Sequence, residues 1–306
     1  LTKETQMRAQ LWIVLPLLQV LCVVAAGYRY CEDVTGHRNC RLLPPLSECG
    51  PVRHGPRVVG GRNAFLGQYP WIAWLRGCGG SLISSRYVLS AAHCCINRRG
   101  KPQVKSVRLG EYDLRTNQDC TSNGACAPRH QDMRVERVVV HKEYDRARVE
   151  NDICLIRLKK PTTFNEYVKP ICLPFAEPFS SLEAGNISLE IAGWGLSKQS
   201  GFGRNEFPSV LQTATVPVVS RGACQAMYGY RMSNGKLCAG GEGGRDSCLG
   251  DSGGPLMGQF TTNDPLTKYF LIGVVSYGPF LCGKGNPGVY TNVPFYTQWI
   301  LDNIEP

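Results

Sequence analysis

The stretch FLIGVVSYG, Phe270 to Gly278, is apolar over most of its length and rich in β-branched and aromatic residues. Such residues favour strands. Short runs of the same kind recur along the chain: WIAWL (71–75), RYVLS (86–90), VERVVVH (135–141), TVPVVS (215–220) and GVYTNV (288–293). Because Gly, Pro, Asn and Ser bound these runs and no helical period separates them, the sequence predicts an all-β sandwich or barrel.

The end of the chain departs from this pattern. In FYTQWILDNI (295–304), Phe295, Trp299 and Ile300 stand near helical spacing. The pattern predicts one short C-terminal helix.

The start of the chain indicates export. Met7 and Arg8 precede the apolar run LWIVLPLLQVLCVVAA (11–26), which ends in small residues. Residues 1–27 are therefore interpreted as a signal peptide with upstream residues, and the protein as secreted. A membrane anchor is the alternative, although Pro16 and Gln19 interrupt the run. Residues 28–57 contain LLPPLSECGP and are expected to form an extended light-chain segment with little core. Residues 58–306 form the main domain.

The cysteine content agrees with secretion to an oxidising compartment, and the charge distribution indicates which partners to expect. The chain has 15 cysteines, and Cys22 lies in the signal segment, which leaves an even number for disulfides. The formal net charge is +10, but the basic residues are scattered and do not form a stripe with aromatic residues. We therefore expect no nucleic-acid partner, and no membrane contact after signal removal.

Three segments contain candidate catalytic residues. LSAAHCC holds His93, ENDICLIRL holds Asp152, and DSCLGDSGGP holds Ser252. A serine hydroxyl needs a base within hydrogen-bond reach to act as a nucleophile, and a carboxylate commonly orients that base. The chain order His, Asp, Ser is one known solution to this geometry. The glycines beside Ser252 permit a tight turn in which the N–H groups of Gly250 and Ser252 converge on an oxyanion.

Together these segments resemble the chymotrypsin/trypsin family of serine endopeptidases. The resemblance runs from residue 58 to the C-terminus through VVGG, YPWIAWL, CGGSLIS, SAAHC, DICLIRL, IAGWG, CAGG, GDSGGPL and GVYTNV, in the family's order. It implies two antiparallel six-stranded β-barrels with the active site between them, and no required cofactor. The implied triad is Ser252 as nucleophile, His93 as base and Asp152 as its orienting acid.

The resemblance also implies a specificity and an activation step. Asp246 would floor a primary pocket for Arg or Lys, together with Ser247, Ser276, Gly278 and Gly288. Cleavage after Arg57 in GPRVVGG would free the amino group of Val58 to pair with Asp251. The structural alternatives are a solvated loop acid for Asp246 and a plain turn for GPRVVGG.

Disulfide pairs follow from the resemblance. It implies the pairs Cys78–Cys94, Cys224–Cys238, Cys248–Cys282 and Cys49–Cys172; Cys120 and Cys126 lie close enough to staple one loop. By elimination, Cys95 pairs with Cys154 and Cys31 with Cys40. The tether and the stapled loop resemble the catalytic domains of arthropod clip-domain proteases. Clip domains carry more cysteines than the three at positions 31, 40 and 49, so the clip is expected to be missing or truncated.

Two further sites are suggested by short patterns. Glu111 in LGEYDL matches an acidic calcium ligand of family members, with Asp132 as a second; the alternative is a pair of solvent-facing acids. Asn186-Ile187-Ser188 is a glycosylation sequon.

The leading hypothesis is a secreted, trypsin-like zymogen of an extracellular immune or developmental cascade. Its partners would be an upstream activating protease, protein substrates such as downstream zymogens, and serpin-type inhibitors. A digestive trypsin is one alternative, disfavoured by the Cys49 tether. A catalytically silent regulatory or binding protein on the protease fold is the other.

Overall fold

The structure is a computed structural model that describes residues 30–53, 62–175, 179, 187–195, 207–241, 251–261, 267–278 and 286–306. Several predicted features lie outside these residues: the signal peptide, the Arg57–Val58 bond, Asn186, Asp246, Ser247, Gly250 and the Cys248–Cys282 pair. The described residues form two closed antiparallel barrels of six strands each, which confirms the predicted fold class.

The first barrel closes in the order β2-β3-β4-β7-β6-β5. Its strands are β2 (Ile72–Trp74), β3 (Gly79–Leu82), β4 (Tyr87–Ser90), β5 (Ser106–Leu109), β6 (Gln131–Val140) and β7 (Cys154–Leu158). All neighbouring pairs are antiparallel.

The second barrel runs β9-β10-β13-β12-β11-β8 and closes by pairing β8 with β9. Its strands are β8 (Ser188–Gly193), β9 (Gln212–Val219), β10 (Lys236–Ala239), β11 (Pro255–Thr261), β12 (Thr267–Tyr277) and β13 (Gly288–Asn292). A short additional strand, β1 (Arg62–Asn63), pairs with the outer side of β9.

Strand β12 contains the FLIGVVSYG stretch, and its side chains are buried from Lys268 to Ser276. A buried strand of this kind reads as a continuous apolar run, because both of its faces lack contact with water. Near its end the register with β13 shifts: Val275 lies opposite Tyr290, and Tyr277 opposite Val289. This irregularity leaves Ser276 out of the pairing. A bulge can re-aim a side chain in this way.

One hydrophobic cluster spans both barrels, and a separate buried cluster lies mainly within the second barrel. A single cluster of buried residues joins Trp71, Leu82 and Leu155 of the first barrel to Met257 and Leu271 of the second. The two barrels are therefore packed through a shared interior.

The helices are few and short. They are α1 (Tyr30–Thr35), a 3-10 helix (Arg38–Leu42), α2 (Ala92–Cys95), α3 (Arg221–Tyr228) and α4 (Val293–Asn303). Helix α4 is the predicted C-terminal helix; it begins two residues earlier because Pro294, whose missing N–H is tolerated there, occupies the first turn. Among the described residues, no helix has the length and apolar character needed to cross a membrane.

The segment before the main domain is docked rather than extended, which corrects the prediction. Cys31 and Cys40 staple its two short helices, and Cys49 is bonded to Cys172 of the main domain. The N–H of Gly50 donates to the Pro170 carbonyl (2.8 Å), and the Gly50 carbonyl accepts from Tyr269 (2.9 Å). The covalent and backbone contacts together keep a segment with little core of its own in place.

Six disulfides join described cysteines. They are Cys31–Cys40, Cys49–Cys172, Cys78–Cys94, Cys95–Cys154, Cys120–Cys126 and Cys224–Cys238. The adjacent residues Cys94 and Cys95 thus reach two different partners.

Candidate active site

His93 and Asp152 meet at the junction of the barrels. His93 lies in the one-turn helix α2, which follows β4, and Asp152 lies just before β7. The Nδ1 of His93 is 2.8 Å from Asp152 Oδ2, and the His93 backbone N–H donates to Oδ1 at 3.0 Å. Because an ionised carboxylate only accepts hydrogen bonds, Nδ1 is the donor and Nε2 is left as an acceptor. This arrangement orients the imidazole to act as a base.

The Asp152 carboxylate is held by the second barrel as well. Its side chain is 1% exposed. Ser276, the residue at the β12 irregularity, donates its hydroxyl to Asp152 Oδ2 at 2.5 Å. The Thr291 hydroxyl of β13 donates to the Asp152 backbone carbonyl at 2.7 Å. Asp152 thus accepts hydrogen bonds from His93 of the first barrel and from Ser276 and Thr291 of the second, so both barrels contribute to this site.

Ser252 lies in a turn that only glycine can complete. Gly253 has a φ of +79°, and a Cβ on it would lie 2.2 Å from Ser90 Oγ and 2.5 Å from the Gly79 carbonyl oxygen. The N–H of Gly254 closes the turn on the Asp251 carbonyl at 2.8 Å. The Ser252 carbonyl accepts from Gly79 N–H at 2.8 Å. Gly253 is therefore required by close backbone packing, in addition to any chemical role of its neighbours.

One sulfur atom locates Ser252 relative to His93. Cys94 Sγ lies 3.4 Å from the Ser252 carbonyl oxygen and 3.6 Å from His93 Nε2. The backbone of Ser252 and the Nε2 edge of the His93 imidazole thus lie next to the same disulfide. Cys78, His93 and Cys94 form a group with metal-like spacing. Their two sulfurs are joined to each other, so neither supplies the thiolate that a metal would need.

Asp251, beside Ser252, is buried at 4% exposure. Its Oδ1 accepts the Gly195 N–H at 2.9 Å. A Cβ on Gly193 would lie 2.1 Å from this oxygen, so the IAGWG segment must carry glycine there.

The described part of the predicted primary pocket lies at the ends of β12 and β13. Ser276 is buried, Gly278 follows β12, and Gly288 begins β13 opposite Ala239. Of these three residues, Ser276 contacts Asp152 directly, and the pocket floor at Asp246 lies outside the described residues.

The two acids expected to bind calcium have cationic partners instead. Arg108 binds Asp132 through two hydrogen bonds (2.8 and 2.9 Å) and Glu111 through a third (3.1 Å). His130 Nδ1 is 3.7 Å from Glu111. The bonds from Arg108 lower the pKa of Asp132, whereas burial raises the pKa of Glu111. Calcium requires several free oxygen ligands, so this set of residues does not fit it.

Two contributions to the candidate active site were not predicted from the sequence. Thr291 gave no signal, and Ser276 was expected only in the substrate pocket. Both act on Asp152 across the barrel junction, and strand register alone brings them there. Tyr144 also lies near Asp152; burial, with a smaller contribution from the Asp152 charge, raises the pKa of Tyr144 to about 12, so its hydroxyl stays neutral.

Comparisons with known proteins agree with this architecture. The family model described as Trypsin matches residues 58–300. Phenoloxidase-activating factor 3 of Holotrichia diomphalia is 41% identical over 280 residues, covering 86% of this chain and 76% of that protein. Serine protease ea of Drosophila melanogaster is 39% identical over 287 residues, covering 86% and 71% respectively.

A solved structure shows the same fold. The crystal structure of the Drosophila Grass clip serine protease of the Toll pathway aligns with a TM-score of 0.73 and 34% identity. The alignment covers 83% of this chain and 74% of that one. With its two barrels, the His93–Asp152 pair and the Ser252 turn, the chain belongs to the trypsin family of serine proteases and is similar to insect clip-domain members of it.

Proposed function

We propose that this protein is a serine endopeptidase that cleaves after arginine or lysine. The observation that carries the proposal is the part-buried hydrogen bond, 2.8 Å long, between His93 and Asp152, beside the glycine-containing turn of Ser252. The order and roles of these residues match the catalytic triad of chymotrypsin-type proteases.

In the proposed mechanism, Ser252 Oγ attacks the scissile carbonyl carbon while His93 Nε2 takes the hydroxyl proton. The N–H groups of Gly250 and Ser252 would stabilise the oxyanion that forms. His93 then gives its proton to the leaving amine, which breaks the peptide bond and leaves an acyl ester on Ser252. Water, activated by the same histidine, hydrolyses that ester and restores the serine. Asp152 keeps the imidazole in the required tautomer throughout. The steps need no cofactor.

Specificity would come from Asp246 at the base of a pocket lined by Ser247, Ser276, Gly278 and Gly288. A buried carboxylate pairs with a guanidinium or ammonium group and is left without a partner by an apolar side chain. The support for this assignment is the family membership and the hydrogen bond from Ser276, one of the described pocket residues, to Asp152.

The proposed protein is a zymogen of two segments, residues 28–57 and 58–306, which follow a signal peptide over residues 1–27. Cleavage after Arg57 would free the Val58 amino group to bind Asp251, which is already buried beside Ser252. The Cys49–Cys172 disulfide would keep the two segments joined after the cut. An extracellular location, with glycosylation at Asn186, follows from the same proposal.

The substrates proposed are other proteins of a proteolytic cascade, including downstream zymogens. The support lies in the relatives, one of which is called a phenoloxidase-activating factor and another a Spaetzle-processing enzyme. An upstream protease and serpin-type inhibitors complete the expected set of partners.

The test compares wild type with Ser252→Ala, and uses Ser122→Ala, an exposed serine, as the matched control. After proteolytic activation, wild type and the control should hydrolyse an arginyl peptide and be labelled by a serine-directed covalent inhibitor. Ser252→Ala should do neither, with turnover lower by several orders of magnitude. Absence of both turnover and labelling in activated wild type would instead favour a catalytically silent binding protein.

A further inference from the structure

Lys236 is a charged side chain buried where the two barrels meet. It begins β10 of the second barrel, and it is only 5% exposed. Its ammonium group lies 2.8 Å from Glu150 Oε1 and donates to the Arg148 carbonyl at 3.1 Å. Both partners belong to the first barrel, in the loop that leads to Asp152. A buried charge is tolerated only when it is paired and hydrogen-bonded, so these contacts determine where the loop lies.

That loop is held in a strained conformation. Two backbone hydrogen bonds between Asp145 and Glu150 (3.0 and 3.1 Å) close it. Within it, Val149 has a φ of +50°. A β-branched residue rarely adopts this conformation, which costs about 1–3 kcal/mol and persists only when its surroundings impose it. Lys236 binds the residue on each side of Val149, and is therefore well placed to impose it.

The same ammonium group packs against the rings of Tyr277 and Tyr230, here called the Tyr277 wall. It lies 5.4 Å from the centre of the Tyr277 ring and 5.7 Å from that of Tyr230. The hydroxyl groups of these two tyrosines are hydrogen-bonded to each other. Tyr277 stands between Ser276 and Gly278, which are both assigned to the primary pocket. With the primary pocket assigned to Ser276 and Gly278, the remainder of a long substrate would lie along this wall.

We propose that Lys236 is a positioning residue for extended substrates: it fixes the loop at Val149 and the Tyr277 wall relative to each other, and so shapes the groove beyond the primary pocket. The inference rests on the proposed function, because the groove has a use only if the protein cleaves peptides. Asp152 keeps its bonds to His93, Ser276 and Thr291 without Lys236. Loss of Lys236 should therefore affect the binding of long substrates more than the chemical step.

The experiment uses the full chain after activation and compares two substrates with the same leaving group, a single-residue arginine ester and a tetrapeptide ending in arginine. Lys236→Met removes the charge and keeps most of the volume. Lys236→Met with Glu150→Gln avoids leaving the half-buried Glu150 carboxylate without its cationic partner. Arg137→Met is the matched control, because Arg137 forms an equally short pair with Glu305 (2.8 Å) that is solvent-exposed.

We expect kcat/KM for the tetrapeptide to fall about tenfold in Lys236→Met, mainly through KM, since a lost bond to a charged group commonly has an effect of this size. The loss on the ester should be several times smaller. The double variant should be no worse than the single one, because both changes remove the same contact. The amides of Asp145 and Glu150 should exchange hydrogen faster in both variants and stay unchanged in Arg137→Met.

Equal losses on the two substrates, or wild-type exchange at Asp145 and Glu150, would overturn the proposal. Labelling of Ser252 by a serine-directed inhibitor separates its failure from that of the proposed function. If wild type is neither labelled nor active, the proposed function fails together with the substrate part of this inference. The exchange comparison then still decides whether Lys236 holds the loop.

Discussion

At the scale of single residues, a side-chain cation binds the two acids that the sequence suggested as possible calcium ligands. Arg108 and Asp132 face each other across strands β5 and β6, so their bidentate contact follows directly from strand register. Glu111 reaches the same guanidinium from the loop after β5. A planar guanidinium matches carboxylate geometry closely, which an ammonium group does not. The loop that carries Glu111 is thus tied to the barrel by the chain itself.

The consequence is a pH-dependent stability that Arg108→Met should reduce. Because Arg108 depresses the pKa of Asp132, this contribution is complete above the unfolded-state value of about 3.9 and is lost as the pH falls through the folded-state pKa. The variant also leaves buried Glu111 with one partner fewer, a cost that protonation at acid pH relieves. We expect a loss of about 2 kcal/mol at pH 7, shrinking toward pH 3, measured by urea unfolding with disulfides intact.

Arg108→Lys is the control for that measurement. It keeps a positive charge but loses the two-pronged geometry, and it should lie between wild type and Arg108→Met. A difference between wild type and Arg108→Met that is as large at pH 3 as at pH 7 would show that the charges are not its source.

At the scale of elements, Gly50 determines how the light segment joins the main domain. It has a φ of +54°, and a Cβ there would lie 2.2 Å from the Tyr269 carbonyl oxygen and 2.9 Å from the Tyr269 nitrogen. Both of those atoms belong to β12, the strand that ends at Ser276 and Tyr277. The disulfide next to Gly50 joins the light segment to the main domain through side chains. The two backbones can approach this closely at Gly50 only because glycine has no side chain.

Gly50→Ala should therefore lower the free energy of unfolding by about 3 kcal/mol, from backbone strain and the clash together. Gly36→Ala is the matched control. Gly36 also has a positive φ, +63°, but a Cβ there has no atom within 4 Å. Gly36→Ala should lower the free energy of unfolding through backbone strain alone, by about 1 kcal/mol. Denaturant unfolding of both variants would measure the difference, and equal losses would exclude the close approach to Tyr269 as a cause.

The elements also show how far the sequence predicts the fold. The apolar runs identified strands because local composition and burial agree there, and FYTQWILDNI identified α4 because its period differs. The same signals missed the helices of residues 30–53, whose shape depends on docking. They also missed the donation from Ser276 to Asp152, since that contact depends on a register shift between β12 and β13. His93, Asp152 and Ser252 were named by short patterns, whereas the residues that hold them in place have no pattern of their own.

At the scale of the whole molecule, the two barrels share part of their interior. Buried side chains of both belong to the same cluster, and hydrogen bonds from Ser276 and Thr291 cross the junction to Asp152. A candidate active site built in this way exists only while both barrels are folded and docked.

Thermal unfolding should therefore occur as one cooperative transition. In differential scanning calorimetry of Ser252→Ala, chosen to prevent self-digestion, the calorimetric and van't Hoff enthalpies should agree. Met257→Ala, a change in the shared core, should lower the midpoint while leaving a single peak. Two separate peaks, of which only one moved in Met257→Ala, would mean that the barrels unfold independently.

The adjacent cysteines of helix α2 have a consequence for how the protein is made. Cys94 must find Cys78, and Cys95 must find Cys154. Because Cys94 and Cys95 are adjacent, a shift of only one residue would exchange their partners. The mispaired product would be fully oxidised and would contain no free thiols. Recombinant material could then pass an assay for free sulfhydryl groups with His93 misplaced. Peptide mapping without reduction, rather than thiol counting, is the measure of correctly assembled protein.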